Sequence, residues 1–287
     1  MTQQTAGVTS PQIARYYDRN TRRFLRYGGS EAAGAIHRQV WAPGVTDKQQ
    51  ALEYLNGLVA VEFESLAGSD SRITRVLDLG CGVGGTATWL AGALNIEVVG
   101  ITNSAVQHRL AVQRAEELNL ANLCRFIQVD FSDLPEIGWF NAAYLIEAFT
   151  HAPDSGSLLS AISEHLIPGG RLVIADDFRS PEVDDLRGFS PAGYWLQQFQ
   201  RGWQLNSLLS RGEIITYASQ AGFRLMKELD LTPFLRVLPW YLLKPASLFT
   251  RLPLHQVYWQ NLKGGIALQI CNQQGWTKYH FMVWEKE

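Results

Sequence analysis

The stretch Val76-Leu77-Asp78-Leu79-Gly80-Cys81-Gly82-Val83-Gly84-Gly85 decides the fold of this chain. Its apolar first half is typical of a buried strand in a parallel sheet. The glycines of its second half allow a tight turn and let a ligand approach the backbone closely. Helix-forming residues begin at Thr86. The stretch therefore predicts a strand, a turn and a helix whose N-terminus is suited to a nucleotide-like ligand.

The identity of that ligand depends on Asp78. Gly80, Gly82 and Gly85 satisfy the spacing G-x-G-x-x-G, which many nucleotide-binding folds share. A carboxylate at the strand end suits a cationic or amine-bearing ligand and suits a pyrophosphate poorly, because like charges would face each other. The order Asp-Leu-Gly-Cys-Gly resembles the cofactor motif of class I S-adenosylmethionine (SAM)-dependent methyltransferases. This resemblance implies SAM as the cofactor, held in part by Asp78, Gly80 and Gly82.

Composition excludes several other classes of protein. The chain has 287 residues, of which 46% are hydrophobic, enough for one large α/β domain with insertions. A net charge of -2 does not indicate a nucleic-acid partner. The three cysteines are widely spaced, predict no metal site and indicate reduced thiols. With no visible signal peptide and no apolar run of roughly 20 residues, we expect a cytoplasmic protein without a transmembrane segment.

Predicted strands and helices alternate along most of the chain. The predicted strands are 73–79, 97–102, 124–129, 141–146, 171–175, 223–231 and 276–284. This alternation predicts an α/β fold, a doubly wound, Rossmann-like and mostly parallel seven-stranded sheet. Ligands are then expected at the carboxyl ends of the strands.

The regions outside the alternation predict the remaining organisation. We expect an N-terminal helical cap over 1–68 and a SAM-binding core over 69–180. A helical lid insertion is expected over 181–210. The C-terminal part of the core, 211–287, would include a helical insertion at about 232–275.

The second predicted strand ends with Thr102 and Asn103, and Gln107 follows one turn later. Most class I methyltransferases have an acidic residue here that holds the ribose. This chain instead resembles the branch that contains tocopherol and sterol C-methyltransferases, which implies that Thr102, Asn103 and Gln107 bind the ribose. Asn103 and Gln107 can each donate and accept hydrogen bonds. Helix capping by Asn103 or Ser104 is the plainer interpretation, and the missing acid disfavours a nicotinamide-dependent oxidoreductase.

The same resemblance implies two further cofactor contacts. Asp130, after the third predicted strand, would accept a hydrogen bond from the adenine amine, and Phe131 would offer its backbone amide. Tyr16 and Tyr17 begin a Tyr-Tyr-Asp motif whose hydroxyls reach the methionine carboxylate in this branch. An exposed turn for Asp130 and core packing for the tyrosines are the plainer interpretations.

The fourth predicted strand leads into Glu147 and His151, in a segment resembling the Glu-x-x-x-His-x-x-Asp pattern of this branch. His151 has an ordinary pKa near 6.5 and is a candidate general base for an oxygen or nitrogen nucleophile. Asp176, at the end of the fifth predicted strand, could orient or stabilise that imidazole, as the two motif positions do in related sugar O-methyltransferases. A structural histidine is equally consistent with the sequence.

Methylation at carbon would use the same residues differently. Glu147 would stabilise a carbocation, aromatic faces would surround it, and His151 would remove a proton. Candidates for the aromatic, substrate-binding wall are Tyr27, Trp41, Phe149, Tyr194, Trp195, Phe199 and Trp203. This abundance favours C-methylation of a small apolar natural product such as an isoprenoid. The alternatives are His151-assisted O- or N-methylation, a catalytically silent SAM-binding protein and, distantly, an NAD(P)-dependent oxidoreductase.

Two features bear on partners. Arg22, Arg23, Arg26 and Arg38 could clamp a substrate diphosphate, although a solvated helix face is the plainer interpretation. The segment 234–243 is apolar with basic residues near it. It is compatible with a pocket cover, with the interface of a homo-oligomer, or with transient contact with a membrane surface.

Overall fold

A computed structural model describes residues 8–28, 34, 36–66, 75–131, 133–183, 190–250, 252 and 256–287. Seven strands form one sheet in this part of the chain. They are β1 Arg75–Leu79, β2 Glu97–Thr102, β3 Cys124–Gln128, β4 Phe140–Ile146, β5 Leu166–Arg179, β6 Phe223–Asp230 and β7 Thr277–Lys286. The helices are α1 Ser10–Arg23, α2 Lys48–Leu66, α3 Gly85–Leu94, α4 Ala105–Glu117, α5 Ser155–His165, α6 Pro191–Trp203, α7 Arg211–Gln220, α8 Trp240–Phe249 and α9 Val257–Gln273.

The strand order is β3-β2-β1-β4-β5-β7-β6. The first five strands in this order are parallel, and β7 runs antiparallel to both β5 and β6. This confirms the predicted doubly wound, mostly parallel sheet of seven strands. The chain order reverses beside β1, which pairs with both β2 and β4, and such a switch point is where open α/β sheets bind ligands.

Alternation along the strands divides the core between the two faces of the sheet. Val76 packs in the cluster that contains residues of α2, α3 and α4. Leu77 and Leu79 pack in the opposite cluster, with residues of α5 and α7. Since side chains alternate along a strand, Asp78 points to the same face as Val76, toward Tyr144 of β4.

The glycine-rich turn requires glycine at its first position. Gly80 has φ +81°, and a Cβ atom there would lie 2.4 Å from the Cβ of Ala148. Gly82 also has a left-handed φ, +54°. The turn therefore passes close to the end of β4 and leads directly into α3.

Two details of the sequence prediction are wrong. The order Ser10-Pro11 predicts Ser10 as the N-cap of the first helix. The N-cap of α1 is instead Thr9, whose backbone N–H donates to Gln12 Oε1 at 2.8 Å, and the Ser10 hydroxyl bonds to Asp130. The fifth strand is also longer than 171–175, because β7 pairs with it from Arg171 to Arg179. Pairing with a distant strand extended β5 where local sequence signals did not.

Helices α6 and α9 pack together outside the sheet and share an apolar cluster. Their backbones approach closely at Gly202 and Gly264, where a Cβ on Gly264 would lie 2.9 Å from the Cα of Gly202. The backbone contact therefore depends on both residues lacking a side chain. No helix among the described residues has the length and apolar character needed to cross a bilayer.

We predict opposite effects for substitutions of the adjacent glycines of α9. Gly264→Ala places a methyl group against the α6 backbone and should lower the free energy of unfolding by about 1–3 kcal/mol. Gly265 has open space at its Cβ position, so Gly265→Ala should raise that free energy by about 0.5–1 kcal/mol through helix propensity. Urea unfolding followed by circular dichroism measures both, and equal effects would contradict the close packing of α6 on α9.

Candidate active site

A cavity of about 670 Å³ lies at the carboxyl ends of β1, β2, β4 and β5, in the size range of small-molecule sites. Helices α1, α6 and α9 and the segment 36–41 complete its wall. The structure brings most of the predicted site residues to this cavity. Those that line it are Tyr16, Tyr17, Trp41, Asp78, Gly80, Gly82, Thr102, Asn103, Gln107, Phe131, Glu147, His151, Asp176, Phe199 and Trp203.

Three aromatic residues predicted for the wall lie elsewhere. Phe149 is 1% exposed and packs in the core between the sheet, α5 and α7. On α6, Leu196, Phe199 and Trp203 lie on the inner face, whereas Tyr194 is 37% exposed and contacts Trp195 edge to face. The assignment of Phe149, Tyr194 and Trp195 to the wall was therefore wrong, because a count of aromatics ignores helix periodicity. The predicted Tyr27 side chain lies outside the described residues.

Asp130 lies beside the cavity rather than in its lining. It accepts a hydrogen bond from the Ser10 hydroxyl at the start of α1. Phe131, the next residue, does line the cavity. A role for Asp130 in binding adenine remains a prediction.

Asp78 is a buried carboxyl group at the end of β1. Its Oδ2 accepts a hydrogen bond from Tyr144 Oη at 2.7 Å. Burial raises the pKa of Asp78 to about 7, and the Tyr144 hydrogen bond opposes that rise. Near neutral pH the group is therefore divided between its two protonation states, and a cationic ligand would favour the carboxylate.

The end of β2 is organised by hydrogen bonds among polar side chains. Thr102 Oγ1 donates to Gln107 Oε1 at 2.8 Å, which leaves the Gln107 amide N–H groups as donors. Ser104 caps α4 by accepting from the Gln107 backbone at 3.1 Å, so Asn103 is not the cap. Asp18 accepts from Ser104 Oγ at 2.6 Å and from the Val106 backbone at 3.1 Å. The third residue of the Tyr-Tyr-Asp motif thus fixes α1 to α4, a role that sequence reasoning missed.

His151 is held as a neutral imidazole with a defined tautomer. Its Nδ1 lies 3.1 Å from the Gln204 carbonyl oxygen, which can only accept, so Nδ1 carries the proton. Its Nε2, 2.7 Å from Tyr17 Oη, therefore accepts from that hydroxyl. Burial lowers the pKa of His151 to about 4, against the opposing effects of the Gln204 carbonyl and Glu147. Burial likewise raises the pKa of Tyr17 well above its usual value.

Asp176 does not orient the imidazole directly. Its Oδ2 accepts from the Thr150 backbone at 3.1 Å, and its Oδ1 accepts from the Asp177 backbone at 2.8 Å. The prediction that Asp176 orients His151 was wrong, because the Gln204 carbonyl, at the end of α6, takes the Nδ1–H bond. Electrostatic stabilisation of the imidazole by Asp176 stays a prediction. Burial, reinforced by Asp177, raises the pKa of Asp176 to about 7.

Arg38, Glu147, Asp177 and Tyr279 form what we call the Arg38 cluster. Glu147, with φ +51°, accepts at Oε1 from Arg38 Nε at 3.2 Å and from Tyr279 Oη at 3.0 Å. Arg38 Nη2 lies 2.7 Å from Asp177 Oδ2, and the guanidinium carbon lies 4.0 Å from the centre of the Tyr279 ring. Burial raises the pKa of Asp177 to about 6, although Arg38 opposes the rise.

Sequence reasoning offered a diphosphate clamp or a solvated helix face for Arg38 and missed this cluster. Its guanidinium is instead the counter-ion of two carboxylates. Of the other three arginines, Arg23 lines the cavity, and Arg22 and Arg26 are exposed. The missed signal was non-local, since pairing of β5 with β7 sets Tyr279 beside Asp177.

Several buried polar atoms on the cavity wall have no hydrogen-bond partner within the described part of the chain. They are His37 Nε2, Arg38 Nη1, Trp41 Nε1 and Asp177 Oδ1. The Arg38 and Trp41 nitrogens are donors, whereas His37 Nε2 and Asp177 Oδ1 accept when they carry no proton. This side of the cavity therefore suits a ligand with a polar group that both donates and accepts.

We predict that Arg38→Met destabilises the protein in a pH-dependent way. Removal of the guanidinium leaves Glu147 and Asp177 without their cation, which should cost about 3–5 kcal/mol of unfolding free energy at pH 8. The loss should shrink at pH 5, because burial raises the pKa of Asp177 to about 6 and the protonated group no longer needs a counter-ion. Urea unfolding at both pH values tests this. Arg211→Met, in a half-exposed pair with Glu228, is the control and should cost at most about 1 kcal/mol; an equal cost would contradict the prediction.

Comparison with known proteins identifies the family. A family model described as a methyltransferase domain matches residues 76–170. The O-methyltransferase rstn1 of Aspergillus nomiae is 30% identical over 226 residues, covering 78% of this chain and 93% of that protein. The sterol 24-C-methyltransferase erg6 of Aspergillus fumigatus is 31% identical over 58% of this chain, which spans only 44% of that protein's length.

A solved structure shares the fold across nearly the whole chain. The geranyl diphosphate C-methyltransferase of Streptomyces coelicolor, in complex with S-adenosyl-L-homocysteine, superposes with a TM-score of 0.72 at 22% identity. The match covers 97% of this chain and 98% of that one. The shared fold, the matching methyltransferase domain and the 30% identity to a methyltransferase that is covered almost completely show that this chain belongs to the class I SAM-dependent methyltransferases.

Proposed function

We propose that this enzyme methylates a hydroxyl oxygen of a small, largely apolar molecule. The observation that carries the proposal is the 2.7 Å contact between Tyr17 Oη and His151 Nε2 at the cavity wall. The lone pair of a neutral imidazole thus lies beside the hydroxyl of a residue that lines the cavity. Such an arrangement can accept the proton that a hydroxyl nucleophile must lose.

The residues at the strand ends fit SAM as the methyl donor. Asp78 would hold the ammonium group, and the turn at Gly80 and Gly82 would let the ligand lie against the backbone. Asn103 and Gln107 would bind the ribose hydroxyls, because both line the cavity. Asn103 can donate and accept, and Gln107 would donate through its amide N–H groups. Phe131 would contact the adenine, beside Asp130. Tyr16 would reach the methionine carboxylate, whereas the Tyr17 hydroxyl already donates its proton to His151 Nε2.

Bound SAM supplies a methyl carbon that is already activated toward displacement. The protein must therefore align the nucleophile, exclude water and remove a proton. We propose that the Tyr17 oxygen takes the substrate proton as its own proton passes to His151 Nε2. The Gln204 carbonyl holds the imidazole by its other nitrogen during this transfer. The raised pKa of Tyr17 favours a relay through the neutral phenol over a standing phenolate.

The surroundings favour a positive charge in the cavity. Glu147, Asp176 and Asp177 contribute carboxyl groups to its wall, against the guanidinium of Arg38. Such a balance suits a cationic donor before transfer and an imidazolium on His151 after it. Trp41, Phe199 and Trp203 supply apolar wall, and the polar atoms around His37 and Asp177 would meet a second polar group of the substrate.

C-methylation of an isoprenoid or prenylated compound is the second candidate. One observation favours it: the Glu147 carboxylate lines the same cavity as the aromatic faces of Trp41, Phe199 and Trp203, as cation stabilisation requires. Three observations rank it second. Three of the aromatics that favoured it lie outside the lining, and Oε1 of Glu147 already accepts from Arg38 and Tyr279. The relative that this chain covers at 93% is named an O-methyltransferase.

We predict that SAM binding weakens as pH falls through the pKa of Asp78. The ammonium group favours the ionised carboxylate, and with a pKa of about 7 that form falls about tenfold between pH 8 and pH 6. Titration calorimetry should therefore show about tenfold weaker binding at pH 6 than at pH 8. Asp78→Asn should bind weakly at both. Asp176→Asn is the control, since Asp176 has a similar pKa on another strand; if it alone removed the pH dependence, Asp78 would not be the ammonium site.

A second prediction concerns the proton relay. The methyl acceptor can be isolated from a cell extract by following the label that the enzyme transfers to it from SAM. With this acceptor, His151→Ala should lower kcat about 10²–10⁴-fold, because the base is lost. Raising the pH should restore part of that rate as the acceptor ionises. At saturating SAM, kcat of the unsubstituted enzyme should fall only on the acid side of about pH 5, because burial lowers the pKa of His151 to about 4. Tyr17→Phe should share the kcat defect of His151→Ala.

The same assay separates the two candidate functions. The enzyme is incubated with methyl-labelled SAM and a cell extract, and the product is analysed by carbon NMR. The chemical shift of the labelled methyl carbon distinguishes O-CH₃ from C-CH₃. An O-methyl product with a Glu147→Gln variant that retains turnover supports the first candidate. A C-methyl product, together with loss of turnover in Glu147→Gln at unchanged SAM affinity, would overturn it in favour of the second.

A further inference from the structure

Two basic segments meet beside the cavity. The segment 232–275 contains four cations, Arg236, Lys244, Arg251 and Lys263, and no Asp or Glu, although the whole chain has a net charge of -2. Residues 10–28 contain five arginines and one acid, Asp18. The segments touch where the Arg23 guanidinium lies 4.8 Å from the centre of the Tyr258 ring. Because Lys263 is buried against the Leu252 carbonyl, the surface charge of segment 232–275 comes, among its described cations, from Arg236 and Lys244.

Helix α8 presents apolar side chains on this basic surface. Trp240 is 45% exposed, Tyr241 74% and Leu248 60%, and the exposed Lys244 lies between them. Residues 241, 244 and 248 follow helical spacing, so they share one face, while Leu243 is buried on the other. We call Trp240, Tyr241, Lys244 and Leu248 the α8 face. Aromatic and leucine side chains interleaved with lysine are typical of helices that lie in a membrane interface.

The cavity opens beside this surface. Tyr258 and Leu262 both line the cavity and are 41% and 39% exposed, so they form part of its mouth. Arg23 and Arg236 line the cavity too and are exposed. Leu238, which precedes α8, is tied to α9 by a 2.8 Å hydrogen bond from its backbone to Gln269. The α8 face and the mouth thus belong to one continuous part of the molecule.

We propose that the α8 face docks on an anionic lipid bilayer, with the mouth of the cavity turned toward the lipid. Charge complementarity favours this partner, because the surface carries arginines and a lysine and because segment 232–275 contains no carboxylate to neutralise them. The exposed Trp and Tyr suit the headgroup region, and Leu248 suits the acyl boundary. An apolar acceptor could then enter from the membrane. Docking itself needs neither donor nor acceptor, so it stands apart from the proposed function.

Vesicle sedimentation tests this proposal on the full chain. Vesicles of phosphatidylcholine with roughly 30 mol % phosphatidylserine should bind the protein, and vesicles of phosphatidylcholine alone should bind it at least about fivefold more weakly. Binding to the anionic vesicles should fall as salt rises from about 0.1 M to about 1 M, because screening shortens the reach of the charges.

Variants of the α8 face make the test specific. Tyr241→Ser with Leu248→Ser should weaken binding to the anionic vesicles at least about tenfold, through lost apolar burial. Lys244→Glu should weaken it about fivefold or more. Trp139→Ser is the matched control, because Trp139 is 73% exposed at the opposite, amino end of β4 and should leave binding unchanged. Circular dichroism establishes that each variant is folded.

Two outcomes would overturn the proposal. One is that the unsubstituted protein fails to bind the anionic vesicles, or binds them no more strongly than the Tyr241→Ser, Leu248→Ser variant does. The other is that the unsubstituted protein binds no vesicles but forms a concentration-dependent dimer, measured by light scattering, whereas the Tyr241→Ser, Leu248→Ser variant remains a monomer. That result would assign the α8 face to a second copy of the chain.

Discussion

One buried guanidinium connects the parts of the chain that form the site. Arg38 belongs to the segment before α2, Glu147 follows β4, Asp177 lies in β5, and Tyr279 lies in β7. Carboxylates buried near each other repel and cost free energy unless a cation lies between them. Arg38 meets that requirement and stacks on Tyr279. The N-terminal segment is therefore held over the sheet by the charges that the site contains.

The same electrostatic environment organises the ionisable groups. Burial pushes the pKa of the carboxyl groups at Asp78, Asp176 and Asp177 upward and that of His151 downward. Each group is thereby moved toward its neutral form, which a cationic ligand would reverse for the carboxylates. Burial keeps the imidazole neutral, and its lone pair lies on Nε2 because a backbone carbonyl accepts the Nδ1–H. Acid groups that bind a cation and a base that accepts a proton can thus share one cavity.

Much of this was predictable because the signals are local. The glycine turn, the alternation of strands and helices, and polar residues directly after strands all depend on neighbours in sequence. They located Asp78, Asn103, Gln107, Glu147 and His151, which the sheet brings to one cavity. The failures were of two kinds. Aromatics on α6 and after β4 were assigned to the cavity wall because they are abundant, and Asp176 was expected from a motif to orient His151. In both cases the direction of a side chain decided which residues it contacts.

The sequence by itself determined the doubly wound sheet, its switch point at the glycine turn and the family. Backbone sterics at Gly80 and period-two burial along the strands admit few other arrangements. Only the tertiary structure decided which polar groups pair. The partners of Arg38 come from residues 147, 177 and 279, and the partners of His151 come from 17 and 204. Such contacts join distant segments through packing geometry, and no local pattern encodes which of several carboxylates, hydroxyls or carbonyls will lie within hydrogen-bonding distance.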